Sequence, residues 1–125
     1  MKSNTEILNE FGRLAIQDCF DPCMGNMDSL RKRSDPPEIF KDYVRLFQSI
    51  SDEDYQILRR YLKENLRSLM FNFLRIFEEH QEFKIVYTHG EKEINLLDTS
   101  EMLKAEPIIE NGWINKFSKQ INNKE

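Results

Sequence analysis

The longest regular pattern of apolar positions begins at Ser51 and extends to about residue 81. Ser51 and Asp54 have the spacing of a helix N-cap and its third helical position, and the acids of this first turn complement the positive end of a helix dipole. Apolar residues then recur at steps of three and four, as on one face of an α-helix: Tyr55, Leu58, Leu62, Leu66, Leu69, Phe73 and Ile76. The pattern predicts one long central helix over about 51–81.

The apolar face of this predicted helix widens in its second half, where four more apolar residues join it: Met70, Phe71, Leu74 and Phe77. A helix that is apolar on most sides is normally buried, so we expect the second half to pass through the middle of the domain. Phe73 should then be a fully packed core ring. Its replacement by alanine is expected to cost about 3–5 kcal/mol.

Shorter helical patterns precede the central helix. The first has Gly12 on its apolar face, and a glycine there indicates close approach of another helix. The proline after Asp21 has the place of a first-turn proline, which predicts a second helix over about 22–32. Pro36 and Pro37 end a polar linker, because proline cannot continue a helix, and a third helix should follow.

After residue 81 the apolar period shortens towards two, and alternating residues on both sides of His89-Gly90 predict a β-hairpin. The Asn111-Gly112 turn precedes Trp113, which should close the core. The fold is therefore predicted to be α+β and mainly helical, with a four-helix-type core around the central helix (about 51–81), a C-terminal β-hairpin and a short terminal helix. We expect a single domain over 1–125, with 1–3 and 122–125 frayed.

Charge narrows the classes of partner. With 18 basic and 22 acidic residues among 125, the net charge is −4, which argues against sequence-independent binding to the phosphate backbone of nucleic acids. No apolar run approaches the roughly 20 residues of a membrane span, and the first residues do not form a leader pattern. The sequence therefore predicts a cytoplasmic protein that binds neither nucleic acid nor membrane.

Residues 78–110 are more acidic than the rest, with nine acids against three lysines, a balance of −6. Five of these acids are predicted to be exposed around the helix end and the hairpin, and are our candidates for binding a partner: Glu78, Glu79, Glu82, Glu91 and Glu93. Residues 59–75 show the opposite bias, with five bases against one acid. We interpret this basic stretch as a solvated helix face.

The sequence shows no arrangement typical of a metal or cofactor site. Cys19 and Cys23, even together with His80 and His89, lack the spacing of common zinc sites, so we predict reduced thiols, one of them partly buried. His80 is placed to stabilise the C-terminal end of the central helix. Because phosphate-binding loops, nucleophile elbows and zinc-protease motifs are missing, we predict no cofactor and no enzymatic activity.

Three segments carry a resemblance to known proteins: Phe11-Gly12-Arg13-Leu14, Ser51-Asp52-Glu53 and Asn111-Gly112-Trp113-Ile114-Asn115-Lys116-Phe117-Ser118. In these the chain resembles a group of small, uncharacterised single-domain bacterial proteins, and similar small proteins occur as immunity proteins beside polymorphic toxins. The resemblance implies a bacterial cytoplasmic protein of α+β type. It also suggests an immunity role.

Two functions follow as hypotheses. The first is a protein-binding module, most concretely an immunity-type inhibitor that masks one basic protein partner, such as a toxin, through its acidic surface. The alternative is a small-ligand-binding or enzymatic domain with an anion site near Arg13 and Arg67, two arginines within largely apolar helices.

Overall fold

The computed structural model describes residues 1–121 and confirms an α+β fold that is mainly helical. The helices are α1 (Asn4–Ala15), α2 (Asp21–Arg31), α3 (Lys41–Ser49), α4 (Asp52–Glu79) and α5 (Trp113–Phe117). The strands are β1 (Val86–His89) and β2 (Lys92–Asn95), and short 3₁₀ turns lie at Glu38–Phe40, Leu96–Thr99 and Leu103–Ala105. The predicted fraying of 122–125 falls outside the described residues. Within 1–121, no helix is both long and apolar enough to cross a membrane.

Helices α1 and α2 form one continuous N-terminal arm, joined by a π-helical turn over Ile16–Phe20. Ser3 and Glu6 begin the arm with reciprocal hydrogen bonds, in which each side chain accepts from the other's backbone N–H at 3.2 Å. The Asp21 N–H closes the π turn on the carbonyl of Ile16, directly before the proline predicted to start a second helix. The wider turn therefore carries the helix past a residue that cannot donate a backbone hydrogen bond.

The hydrophobic core lies between the N-terminal arm, α4 and the C-terminal segment. Trp113, at the start of α5, is fully buried and packs directly on Gly12 of α1, with an edge-to-face contact to Phe11 at 5.7 Å between ring centroids. This confirms the predicted close approach at Gly12 and the closing role of Trp113. Other buried members come from all three parts of the chain: Ile7, Ile16, Phe20, Met24, Leu74, Leu96, Leu103 and Ile114.

The long central helix is confirmed, and its start is as predicted. Ser51 is the N-cap of α4, and its hydroxyl accepts a hydrogen bond from the Asp54 N–H at 3.1 Å. Its end is close to the predicted one, because His80 is the C-cap and donates its backbone N–H to the carbonyl of Ile76. The predicted position of His80 at the negative end of the helix dipole is therefore also confirmed.

The predicted orientation of α4 is wrong in its second half. Leu69, Phe73 and Ile76 are exposed, whereas Leu74 on the opposite side is buried in the core. Phe73 is therefore not the packed core ring that the periodicity predicted. The α4 sequence has apolar residues on two sides, and in its second half only the side that carries Leu74 is buried.

The hairpin follows the sequence prediction closely. Strands β1 and β2 are antiparallel, with Val86 opposite Asn95 and His89 opposite Lys92. Gly90 lies in the turn with φ of 62°, a backbone conformation that residues other than glycine rarely adopt. The turn residue was thus readable from the sequence, because glycine is the residue that meets this requirement without strain.

Candidate functional site

The five candidate acids fall into two environments. Glu78 is partly buried, and its carboxylate accepts a hydrogen bond from the Lys104 N–H at 3.0 Å and lies 3.5 Å from the Lys104 ammonium. It therefore joins α4 to the Leu103–Ala105 turn. Glu79 and Glu82 are exposed, with Glu79 3.8 Å from Arg75 and Glu82 3.4 Å from the His80 ring. Exposed pairs of this kind contribute little to stability and leave both carboxylates open to a partner.

Glu91 and Glu93 lie on the hairpin, and both are exposed. Glu91 follows the turn glycine, and Glu93 stands opposite Thr88 in the strand pair. The hairpin is a defined scaffold, because its backbone pairing determines where each side chain emerges. Glu93 therefore emerges from a paired strand, and Glu91 from the turn that precedes it.

The acidic bias of residues 78–110 persists at the surface. Seven of the nine acids are exposed, against two exposed lysines, Lys84 and Lys92, a balance of −5. Internal pairing removes Lys104 together with Glu78, so it does not reduce the excess of negative charge. The exposed acids come from α4, the hairpin and the turns after it: Glu79, Glu82, Glu91, Glu93, Asp98, Glu101 and Glu110.

A cleft opens where the end of α4 meets the base of the hairpin. Its volume is about 330 Å³. Three apolar side chains and four polar ones line it: Phe77, Phe83, Leu97, Gln81, Lys84, Asn95 and Asp98. We call it the acid-rimmed cleft after Asp98, which lines it together with the oppositely charged Lys84. Phe83 is 60% exposed, so its ring is accessible to a ligand or partner from solvent.

The sequence pattern gave no indication of this cleft. The periodicity placed Phe77 on the face of a buried helix, and Phe83 lies in the connection between α4 and β1. The available signal was a lone aromatic residue in the polar connection after α4. That signal does not identify the opposite wall, since Leu97 and Asp98 come from a turn beyond the hairpin.

The two arginines of the alternative hypothesis are on different helices and have different surroundings. Arg13 is exposed on α1. Arg67 is partly buried on α4, where it donates to the carbonyl of Ile108 at 3.4 Å and lies 3.7 Å from Glu64. Neither arginine lines the acid-rimmed cleft.

The interpretation of the basic stretch 59–75 as a solvated face is wrong for two of its members, since Arg59 and Lys63 are both buried. Arg59 donates to the Asp28 carboxylate at 3.2 Å and to the carbonyl of Gln120 at 2.8 Å. A buried guanidinium is tolerated here because its charge is paired and its donors are used. The contacts join α4 to α2 and to the C-terminal segment.

Tyr55 belongs to the same polar network. Its hydroxyl donates to Asp28 at 2.5 Å, and the Arg31 guanidinium lies over its ring at 4.2 Å. Burial, the hydrogen bond to Asp28 and the negative charge of that carboxylate together raise the pKa of Tyr55 above its ordinary value. Arg31 also donates to the carbonyls of Phe47 and Ile50. Every polar group named here has an internal partner, which indicates a structural role.

The thiols and imidazoles considered as metal ligands are dispersed. Cys19 and Cys23 are both exposed and free, so the expectation of one partly buried thiol is wrong. His80 is the C-cap of α4, and His89 is the last residue of β1. Among residues 1–121, the structure brings no three histidine, cysteine or acidic side chains together in a way that could hold a metal ion.

Comparisons with known proteins add no further constraint. No family model matches the chain, and searches of curated proteins and of solved structures found no significant match. The function is therefore inferred from the acid-rimmed cleft and from the exposed charges of residues 78–110.

Proposed function

We propose that this protein is a protein-binding module, most concretely an immunity-type inhibitor that masks one basic protein partner, such as a toxin, in the bacterial cytoplasm. The observation that carries the proposal is the surface balance of −5 over residues 78–110, a stretch that also supplies six of the seven residues lining a cleft that contains Phe77 and Phe83. In this proposal the protein acts by occupying its partner's surface, without catalysis and without a cofactor.

The cleft suits a cationic side chain. An arginine or lysine of the partner that enters between Phe77 and Phe83 would meet aromatic rings, which attract cations through their faces. Asp98 would provide the counter-charge, since its carboxylate lines the same cleft. A guanidinium is the better occupant, because its plane stacks on an aromatic ring while its edge donates to a carboxylate.

The surrounding acids contribute mainly to the rate of capture. Exposed charges at the rim of an interface steer an oppositely charged partner, and their effect weakens as salt screens them. Glu91 and Glu93 belong to this group, since both are exposed and lie outside the cleft itself. Lys84 lines the cleft and opposes capture, so Lys84→Glu should accelerate association.

The test begins with a pull-down from the native host, in which the proposal expects one stoichiometric basic protein. Its association rate is then measured at two ionic strengths for the wild type and for Glu91→Lys with Glu93→Lys. We expect slower capture by the variant, with the larger difference at low salt. Equal rates at both salts would remove the hairpin acids from the mechanism.

A matched control carries the same charge change away from the cleft. Glu38→Lys with Asp42→Lys alters two exposed acids on the segment that begins α3, which packs on α2. This control should slow capture much less than the hairpin variant. An equal effect would show that net charge alone sets the rate. Asp98→Asn and Phe83→Ala should instead raise the dissociation rate, because they alter the cleft where the side chain is held.

A further inference from the structure

A second pocket lies between α1 and the first strand of the hairpin, and none of its described lining residues also lines the acid-rimmed cleft. Its volume is about 170 Å³. Seven aliphatic or aromatic residues and one acid line it: Ile7, Phe11, Leu14, Ile85, Val86, Tyr87, Leu96 and Glu10. We call it the α1–β1 pocket. An apolar cavity of about 150 Å³ with a similar lining is large enough to bind benzene.

The α1–β1 pocket has a buried floor and an open mouth. Ile7 and Leu96 are each 2% exposed, so they form its inner end. Leu14 and Val86 are each 41% exposed and lie where the pocket meets solvent. An apolar group that enters through the mouth therefore leaves water for contacts with buried side chains, which is the main favourable contribution to binding in small-molecule sites.

Glu10 is the charged residue of the lining, and the chain places an ammonium group on it. The Lys2 ammonium donates a hydrogen bond to the Glu10 carboxylate. It also lies 6.0 Å from the centre of the Tyr87 ring, which lines the same pocket. A carboxylate and an aromatic ring face both attract an ammonium ion. Lys2 thus shows which charge this position accepts.

The contact that Lys2 makes is easily exchanged. Lys2 precedes Ser3, the N-cap of α1, so it lies outside the helix that carries Glu10. The side chains of Lys2 and Glu10 are 43% and 39% exposed, and ion pairs of this kind contribute little because a long lysine side chain loses its freedom when it is held. An external amine with an apolar group would gain the contacts of the pocket as well as the charge of Glu10.

We propose that the α1–β1 pocket binds a small primary amine that carries an apolar group of about six carbons. The apolar group packs against Ile7 and Leu96, and the ammonium replaces that of Lys2 between Glu10 and Tyr87. Lys2 is then a competitor built into the chain, which holds the carboxylate while the amine is absent. This site goes beyond the proposed inhibitor function and does not depend on it.

An NMR titration of the wild-type chain tests the charge and the apolar group of the ligand separately. The probe is 2-phenylethylamine, for which we expect a dissociation constant of about 1 mM and the largest amide shifts at Leu14, Val86 and Tyr87. Three comparison molecules each change one feature. The alcohol 2-phenylethanol has no charge, phenylacetate has the opposite charge, and ethylamine has no ring. Each should bind about fivefold more weakly or less tightly still.

Substitutions of the two charged residues should change amine affinity in opposite directions. Glu10→Gln keeps the size of the side chain but removes its charge, and should weaken binding of 2-phenylethylamine by about tenfold. Lys2→Ala removes the competitor and should strengthen binding by about two- to fivefold. The matched controls are Glu91→Gln and Lys92→Ala, which make the same charge changes at exposed hairpin positions that do not line the pocket. Both controls should leave the dissociation constant unchanged.

Four results would overturn the proposal. The first is the absence of saturable shifts with 2-phenylethylamine at concentrations well above the expected dissociation constant. The second is binding of 2-phenylethanol or phenylacetate as tight as that of the amine, which would remove the role of the carboxylate. The third is an unchanged affinity in Glu10→Gln. The fourth is weaker binding in Lys2→Ala, which would make Lys2 part of the site instead of its competitor. Each result is independent of whether the acidic surface captures a basic protein.

Discussion

Gly12→Ala should destabilise this protein, although in most helices the same change is favourable. Alanine in place of glycine ordinarily stabilises a helix interior by about 1 kcal/mol. A Cβ atom at Gly12 would lie 2.5 Å from two atoms of the Trp113 ring and 2.6 Å from a third. Normal contacts between carbon atoms are about 3.5–4.0 Å, so the ring or α1 must move by on the order of 1 Å.

The expected loss follows from these opposing effects. Forcing an extra carbon into a packed core costs about 1–3 kcal/mol, and the fully buried Trp113 ring places this site at the upper end of that range. After subtraction of the helix gain, we expect a net loss of about 2 kcal/mol. For a domain of this size, that lowers the melting temperature by about 6–10 °C.

Gly25→Ala in α2 is the matched control. A Cβ there would meet only the end of the Gln120 side chain, at 3.2 Å, and that flexible amide can turn away. Urea unfolding, followed by circular dichroism, should therefore show Gly25→Ala at or slightly above wild-type stability. A Gly12→Ala protein as stable as the wild type would refute the close contact. In a Trp113→Leu background, the penalty of Gly12→Ala should largely disappear, as expected for two residues in direct contact.

Three further predictions concern the core, the polar network and the thiols. Leu74→Ala should lower the free energy of unfolding in urea by about 2–5 kcal/mol, and Phe73→Ala by about 1 kcal/mol or less, because Leu74 is buried and Phe73 is exposed. The reverse order would support the orientation of α4 that its periodicity predicted. Because the folded state raises the pKa of Tyr55, the stability gained from this group is complete below about pH 10 and is lost as the pH rises further. The free energy of unfolding, measured at a series of alkaline pH values, should therefore fall less steeply in Tyr55→Phe than in the wild type. Cys19→Ser with Cys23→Ala should leave the melting temperature within about 2 °C of the wild type, since both thiols are exposed; a larger shift would show that a thiol is packed.

The candidate site was only partly predictable from the sequence. The excess of acids over residues 78–110 could be counted directly, and most of those acids are exposed. The sequence could not indicate that Glu78 is engaged by Lys104, because that contact joins residues 26 positions apart. It also could not reveal the cleft, whose walls come from the end of α4 and from the turn that contains Asp98. Sites assembled from distant segments exist only once those segments have packed together.

By itself, the sequence determined the local elements. The cap at Ser51, the prolines after the second helix and the glycine of the hairpin turn each act through their own backbone or through residues a few positions away. Tertiary structure alone decided which side of α4 faces the core. Periodicity shows only that a helix has an apolar face. Phe73 is exposed because no described segment covers its side of α4, whereas Arg59 is buried because Asp28 supplies a partner for its guanidinium. Burial depends on what packs against a residue, and that is a property of the assembled chain.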